Sequence, residues 1–203
     1  MTNKMHFWDI DNTLLDTKTA VLDCQKDALQ RLTGTDKFGT RVEQGELLKD
    51  ILKEVGCDLT EFFRDHYKTF NPYQYGEGLL FPQTKPILES KYNIAISNSS
   101  LDATKEKLIA SGIDSLFEAQ FAEYEKEKAK PGIYMGIQAL DFLDQQGLLS
   151  QAPLIIGVGD DARDIAFYND LKKEYNNIES VHIAHGLSPN READRVINSL
   201  DEL

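Results

Sequence analysis

The architecture of this chain is organised around residues 5–15, Met-His-Phe-Trp-Asp-Ile-Asp-Asn-Thr-Leu-Leu, where an apolar run gives way to two aspartates. A short apolar run followed by polar turn formers is typical of a buried strand, so Asp9 and Asp11 are expected at its carboxyl end. In an open α/β sheet, ligands bind at that edge. Neighbouring carboxylates repel unless a cation separates them, and Mg²⁺ prefers oxygen ligands. The stretch therefore predicts a Mg²⁺ site, with a helix cap or Asx turn at Asp11 or Asn12 as the alternative.

Composition and charge exclude several classes of protein. The 203 residues fit one domain, or one core with a small insertion, and 22 basic against 34 acidic residues give a net charge of -12. An acidic chain repels polyanions, so nucleic acid is not an expected partner. No apolar run approaches the roughly 18 residues of a membrane span. Cys24 and Cys57 form no disulfide or metal-ligand pattern, and no signal peptide is visible, which favours the cytoplasm.

Residues 17–81 are expected to form a small all-helical subdomain inserted after the first strand. Apolar residues recur at helical spacing across 21–32, 47–55 and 62–70. The segment 71–78 is rich in turn formers and predicts the connection back to the core. The predicted domains are therefore a core of residues 1–16 and 82–203 and a helical insertion of residues 17–81.

After Pro82 the chain alternates helices and strands. Further strands are predicted at Tyr92–Ile96, Phe117–Ala122, Leu154–Val158 and Val181–Ala184, and Pro131 is expected in the first turn of a helix over 133–143. This order predicts a Rossmann-like, three-layer α/β core with a parallel sheet of about five strands. Parallel strands end at one edge, which should gather Asp9, Asp11, Ser97, Asn98, Lys130, Asp160 and Asp161.

The same residues resemble the motifs of the haloacid dehalogenase superfamily, the aspartate-nucleophile phosphohydrolases. The matching segments are Asp9-Ile-Asp11-Asn-Thr13, Ser97 at the end of the second strand, Lys130 before Pro131, and Gly159-Asp160-Asp161-Ala-Arg-Asp164. Two positions depart from the family pattern: Asn12 stands where glycine is frequent, and Pro82-Gln83 stands where Pro-Gly is common. Neither departure removes a reacting group. The helical insertion resembles the cap domain of the family.

The resemblance implies a Mg²⁺-dependent phosphatase and a role for each motif residue. Asp9 would be the nucleophile and Asp11 the general acid and base. Ser97, Asn98 and Lys130 would bind the phosphate. Mg²⁺ would be held by the Asp9 carboxylate, the Asp11 backbone carbonyl and Asp160, with its waters on Asp161 and Asp164. The simpler alternatives are that Ser97 only caps a helix, that Lys130 is a solvated lysine, and that Asp164 is a helical neighbour of Asp160.

Asp11 also favours phosphoryl transfer over dehalogenation, because dehalogenases of the family lack the second aspartate. The expected substrate is a small phosphorylated metabolite. One alternative is a phosphotyrosine protein, with Tyr73, Tyr75 or Trp8 offering an aromatic face. Another is a phosphomutase with His66 or Lys68 as base. A non-catalytic binding protein is disfavoured, because the acidic residues of the motifs are all present. His182 is expected to be structural and His185 to be a candidate substrate contact, and no motif specifies an oligomeric state.

Overall fold

The computed structural model describes residues 4–43, 48–58, 61–62, 76–125, 127–151, 153–186 and 188–203. The chain divides into two compact units, one of residues 1–16 and 76–203 and one of residues 17–75. His66, Lys68, Tyr73 and Tyr75 lie outside the described residues. Among the described helices, none combines the length and the apolar character that crossing a membrane requires.

The larger unit contains a six-stranded parallel sheet with the order β3-β2-β1-β4-β5-β6. The described elements are β1 Lys4–Trp8, α1 Thr17–Thr33, α2 Lys37–Glu43, α3 Leu48–Val55, α4 Thr84–Glu89, β2 Tyr92–Ser97, α5 Leu101–Ala110, β3 Ala119–Ala122, α6 Tyr134–Gln145, β4 Leu154–Gly159, α7 Ala162–Leu171, β5 Ile178–Ile183 and β6 Arg195–Ile197. The predicted α/β class with a parallel sheet is confirmed. The strand order reverses next to β1, which is where open α/β sheets bind ligands.

The structure adds one short strand to the predicted sheet and corrects one local prediction. The added strand is β6, whose three residues are too short to show the alternation that marks a strand in sequence; it is recognisable only by its pairing with β5. Pro131 does not lie in the first turn of a helix, because α6 begins at Tyr134. The Lys130–Pro131 peptide bond is cis.

The apolar core of the larger unit lies between one face of the sheet and helices α6 and α7. The alternate residues Met5 and Phe7 of β1 join buried side chains of β2, β4, α6 and α7 there. Tyr168 of α7 is fully buried, and its single hydroxyl hydrogen is shared between the carbonyls of Phe7, at 3.0 Å, and Val158, at 3.3 Å. A Cβ atom at Gly157 would lie 2.3 Å from the Tyr168 ring, so the glycine permits this close approach of helix and sheet.

The chain leaves the larger unit and returns to it through two connections that pair with each other. The Asp16 amide donates to the Leu79 carbonyl at 2.7 Å, and the Phe81 amide donates to the Leu14 carbonyl at 3.2 Å. Leu15 and Leu80 form an antiparallel bridge between them. The Thr84 hydroxyl also donates to the Leu14 carbonyl, at 2.9 Å. The two ends of the insertion are therefore fastened side by side within the core.

The smaller unit is helical where it is described. Helices α1, α2 and α3 supply most of its buried side chains, including Ala28, Leu29, Val42, Ile51 and Leu52, with Cys57 and Phe62 completing the cluster. Cys57 is buried and Cys24 is half-buried, and both are free thiols. This unit thus has its own apolar core.

His6 is a buried histidine that should make stability depend on pH. It is 1% exposed, and neither ring nitrogen has a hydrogen-bond partner among the described residues. Burial, helped by nearby positive charges such as Lys91, lowers its pKa from 6.5 to about 3. Below pH 6.5 the unfolded chain therefore binds a proton at His6 that the folded chain does not bind. The free energy of unfolding is highest above pH 6.5 and falls as the pH decreases.

We predict that His6→Leu removes this pH dependence. Between pH 7 and pH 5 the free energy of unfolding of the native chain should fall by about 2 kcal/mol more than that of the variant. Urea unfolding of both proteins at the two pH values measures the difference. Equal pH dependence in the two proteins would show that His6 does not resist protonation in the fold.

Candidate active site

A cavity of about 290 Å³ opens at the carboxyl ends of β1, β2 and β4. Asp9 and Asp11 follow β1, Asn98 and Ser99 follow β2, and Asp160 and Asp161 follow β4. The cavity is lined by Asp9, Asp11, Asn12, Asn98, Ser99, Lys130, Asp160, Asp161, Arg163 and Asp164. The structure thus brings together all the predicted site residues except Ser97, which lies just behind with 1% exposure.

Asp9 is held by three contacts at the end of β1. Its backbone amide donates to the Val158 carbonyl at 2.9 Å, which continues the pairing of β1 with β4. One carboxylate oxygen accepts from the Lys130 ammonium at 2.5 Å, and the other accepts from the Thr13 hydroxyl at 3.1 Å. Asp9 is 7% exposed, so its carboxylate is fixed but remains at the cavity wall.

Lys130 is the buried cation of the site. Its ammonium contacts Asp9, the Asp164 carboxylate at 2.6 Å and the Ile96 carbonyl at 3.0 Å, and the side chain is 2% exposed. The alternative that Lys130 is a solvated lysine is therefore excluded. Burial lowers the pKa of Lys130, but the charges of Asp164 and Asp9 outweigh it and raise the pKa above its usual range.

The acids outnumber the cations at this edge. Burial, with the charge of Asp164, raises the pKa of Asp9 to about 8, although Lys130 opposes the shift. Burial, with the charges of Asp164 and Asp161, also raises the pKa of Asp160 to about 6. The cavity lining therefore carries more carboxylates than cationic groups, and the site has an excess of negative charge.

These carboxylates have the chemistry of a divalent-cation site. One oxygen from each of Asp9, Asp160 and Asp164 lies within 4.8 Å of the others. Mg²⁺ prefers carboxylate oxygens of this kind, and a bound ion would supply positive charge among the clustered acids. The donor set therefore fits Mg²⁺.

The start of α7 positions the acids of the segment 159–164. Asp161 is the N-cap of α7, and its carboxylate accepts from the Arg163 amide at 2.8 Å, while the Asp164 carboxylate accepts from the Asp161 amide at 3.0 Å. Asp164 thus has two roles, in a capping box and in the ion pair with Lys130. A Cβ atom at Gly159 would lie 2.3 Å from that of Asp164, so only glycine admits this acid.

Asp160 is braced from β5 by His182. The His182 Nδ1 atom accepts from the Asn190 amide at 3.1 Å, so its Nε2 carries the proton and donates to the Asp160 carbonyl at 2.9 Å. His182 is 4% exposed. This histidine therefore orients the backbone of a predicted metal ligand, in agreement with its expected structural role.

Asn98 and Ser97 organise the end of β2. The Asn98 side chain accepts from the Lys130 amide at 2.7 Å and donates to the Lys130 carbonyl at 3.2 Å, so it clamps the lysine backbone. The Ser97 hydroxyl accepts from the Ser99 amide at 3.2 Å. Ser100, and not Ser97, caps α5, which removes the alternative of a simple helix cap at Ser97. Phosphate binding by Ser97 and Asn98 stays a prediction.

Asp11 has a partner that the sequence did not reveal. The Lys107 ammonium lies 2.7 Å from both carboxylate oxygens of Asp11, and the Ser99 hydroxyl donates to one of them at 3.3 Å. Lys107 lies in the last turn of α5, far from any strand end, so the strand-end argument did not single it out. Arg163, which lines the cavity and pairs with Asp161, was also not singled out.

Two aromatic candidates do not face the site. Trp8 is fully buried, and its indole N–H donates to the Asn93 side chain at 2.8 Å, so it offers no face to a phosphotyrosine substrate. The expectation for Trp8 was wrong because β1 turns this residue into the packed interior of the sheet. His185 does not line the cavity either; its ring stacks on Phe81 with centroids 4.0 Å apart.

A family model described as haloacid dehalogenase-like hydrolase matches residues 7–167, which is most of the chain. The match includes every motif residue that forms the cavity. No curated protein matches the sequence.

Solved structures with the same fold cover nearly the whole chain. One, provisionally named a phosphoglycolate phosphatase from Haemophilus somnus, is 19% identical, covers 98% of this chain and 94% of its own, and has a TM-score of 0.65. A provisionally named β-phosphoglucomutase from Thermotoga maritima is 14% identical, with coverages of 96% and 94% and a TM-score of 0.69. A hydrolase of the haloacid dehalogenase type from Bacillus subtilis, bound to magnesium, is 17% identical, with coverages of 99% and 96% and a TM-score of 0.66.

We predict that Lys130→Met destabilises the fold, because it leaves Asp9 and Asp164 buried without their shared cation. Without added divalent cation, the free energy of unfolding should fall by about 3–5 kcal/mol. Lys128→Met is the matched control, since Lys128 is 41% exposed on the same segment and its ion pairs should contribute at most about 1 kcal/mol. Urea unfolding compares the two variants. Similar losses in both would contradict a special role for the buried ammonium.

Proposed function

Because the chain belongs to the haloacid dehalogenase-like hydrolases, we propose that it is a Mg²⁺-dependent phosphatase that hydrolyses small phosphate monoesters through an aspartyl phosphate on Asp9. The observation that carries the proposal is the position of the Asp9 carboxylate. It lies at the wall of an acid-lined cavity, at the end of β1, with one oxygen on Lys130 and the other on Thr13. A carboxylate so fixed is oriented for attack on a phosphorus atom placed in the cavity.

The reaction has two steps on this reading. Asp9 attacks phosphorus and forms an aspartyl phosphate as the bond to the leaving oxygen breaks, and Asp11 donates a proton to that oxygen. Asp11 then accepts a proton from water, which attacks phosphorus and frees Asp9 and inorganic phosphate. Lys130 stabilises the negative charge of the phosphoryl oxygens next to Asp9.

The metal would be held by the Asp9 and Asp160 carboxylates and the Asp11 backbone carbonyl, with its waters on Asp161 and Asp164. When bound, Mg²⁺ supplies a Lewis acid and neutralises phosphoryl charge. The support for this cofactor is the cluster of Asp9, Asp160 and Asp164, whose oxygens converge within 4.8 Å. The resemblance to a magnesium-bound hydrolase from Bacillus subtilis supports it as well.

Residues 17–75 are proposed to be a cap that governs access to the site. The support is their insertion directly after the catalytic stretch, through connections that are paired at Leu15 and Leu80. A cap on such connections could open for substrate and close to exclude water.

The proposed substrate is a small phosphorylated metabolite. A cavity of about 290 Å³ is at the lower end of the sizes that bind small molecules. Two of the similar structures carry provisional names of enzymes for phosphoglycolate and a phosphoglucose, which are small phosphate esters. A phosphomutase is the main rival, and it would return phosphate to the sugar and not release it.

We predict that turnover requires both Asp9 and Mg²⁺. Release of inorganic phosphate from p-nitrophenyl phosphate should be abolished in Asp9→Asn, which lacks the nucleophile, and by excess EDTA in the native chain. Asp141→Asn, at an exposed position on α6, is the matched control and should keep full activity. Substantial turnover by Asp9→Asn, or full activity in EDTA, would contradict the covalent mechanism.

We also predict that small phosphate monoesters are better substrates than a phosphotyrosine peptide, since buried Trp8 presents no aromatic surface to the peptide. The measurement is kcat/KM for a panel of phosphorylated metabolites and for one phosphotyrosine peptide, with phosphate release as the readout. A peptide preferred by about a hundredfold, equivalent to about 2.7 kcal/mol of transition-state binding, would instead identify a protein phosphatase.

A further inference from the structure

Lys107 contacts both carboxylate oxygens of Asp11. Its ammonium is 2.7 Å from each carboxylate oxygen and 3.2 Å from the Ser99 hydroxyl, which itself donates to Asp11. The Lys107 side chain is 11% exposed and that of Asp11 is 31% exposed. This is unlike an ordinary surface ion pair, because the lysine is largely withdrawn from water and contacts both oxygens.

The helix that carries Lys107 is well anchored. Ser100 caps the start of α5 by accepting from the Ala103 amide at 3.2 Å, and Thr104 and Leu108 are 1% and 0% exposed. Lys107 lies between these two buried positions and points its ammonium at the loop after β1. A lysine on a packed helix has little freedom to follow a moving carboxylate, so it fixes the place of that carboxylate.

Lys107 does not line the cavity, whereas Asp11 and Ser99 do. It therefore reaches the cavity only through its neighbours. A carboxylate whose oxygens both accept from one ammonium cannot rotate freely, yet each oxygen keeps a lone pair for another hydrogen bond. This arrangement restrains Asp11 without blocking its exchange of a proton with a group in the cavity.

We propose that Lys107 is a positioning residue, which holds the Asp11 carboxylate in the orientation needed to pass protons to the leaving oxygen and from water. The proposal rests on the proposed phosphatase function. Ser99 completes the holding site with its hydroxyl group. Misplacing a general acid and base by about 1 Å can cost on the order of a hundredfold in rate, so loss of the holding contact should appear in turnover.

The test is a double-mutant cycle of Lys107→Met and Asp11→Asn, with p-nitrophenyl phosphate and Mg²⁺. Lys107→Met should lower kcat by about 10- to 100-fold with little change in KM, and Lys107→Arg should recover part of the loss because it can contact both oxygens. In the Asp11→Asn background, adding Lys107→Met should cost no further activity, since the residue acts only through Asp11. Lys105→Met, at an exposed position on the same helix, is the control and should leave turnover unchanged.

Other outcomes would overturn the proposal in distinct ways. Equal losses from Lys107→Met with and without the Asp11 carboxylate would show a purely structural role, as would a loss in kcat matched by a loss of folded protein in circular dichroism. If Lys107→Met does not fold, Lys107→Gln takes its place in the cycle. Full activity of folded Lys107→Met beside an active native chain would overturn the role of Lys107 alone, whereas a native chain inactive with Mg²⁺ would overturn the phosphatase function.

Discussion

The contact on which the site depends is the buried ammonium of Lys130 between Asp9 and Asp164. It joins the end of β1 to the first turn of α7, and it also donates a hydrogen bond to the Ile96 carbonyl of β2. The Asn98 side chain holds the lysine backbone through both its amide and its carbonyl group. Three elements of the sheet edge are therefore fixed to one charge, which orders the acids before any ligand arrives.

Charge explains why this cluster is costly to form. The carboxylates around Lys130 are removed from water, and burial raises the pKa of Asp9 and of Asp160. Local structure offsets part of the cost, since Asp161 and Asp164 also cap α7 and so satisfy its first amide groups. Two acids of the cluster thus also stabilise the helix that presents them, and the remaining excess of negative charge favours binding of a divalent cation.

Strand ends were the predictable part of this molecule. Asp9, Asp160 and Asn98 follow apolar runs, and parallel pairing must bring the ends of such runs together. Contacts that depend on packing were not predictable. Lys107 reaches Asp11 from the last turn of a helix, Trp8 turns into the interior because of strand alternation, and β6 exists only through its pairing with β5. In each case the residue that forms the contact is distant in sequence, so a local sequence pattern cannot predict the contact.

The paired connections at Leu15 and Leu80 have a consequence for how such a protein can diversify. Since hydrogen bonds within the core already hold the two ends of the insertion together, closing the loop does not rely on the inserted helices themselves. The entropy of closing a loop grows only slowly with its length, by roughly 0.6 kcal/mol per doubling. An insertion at this point can therefore lengthen, shorten or be exchanged in the course of evolution while the core keeps its stability and its chemistry.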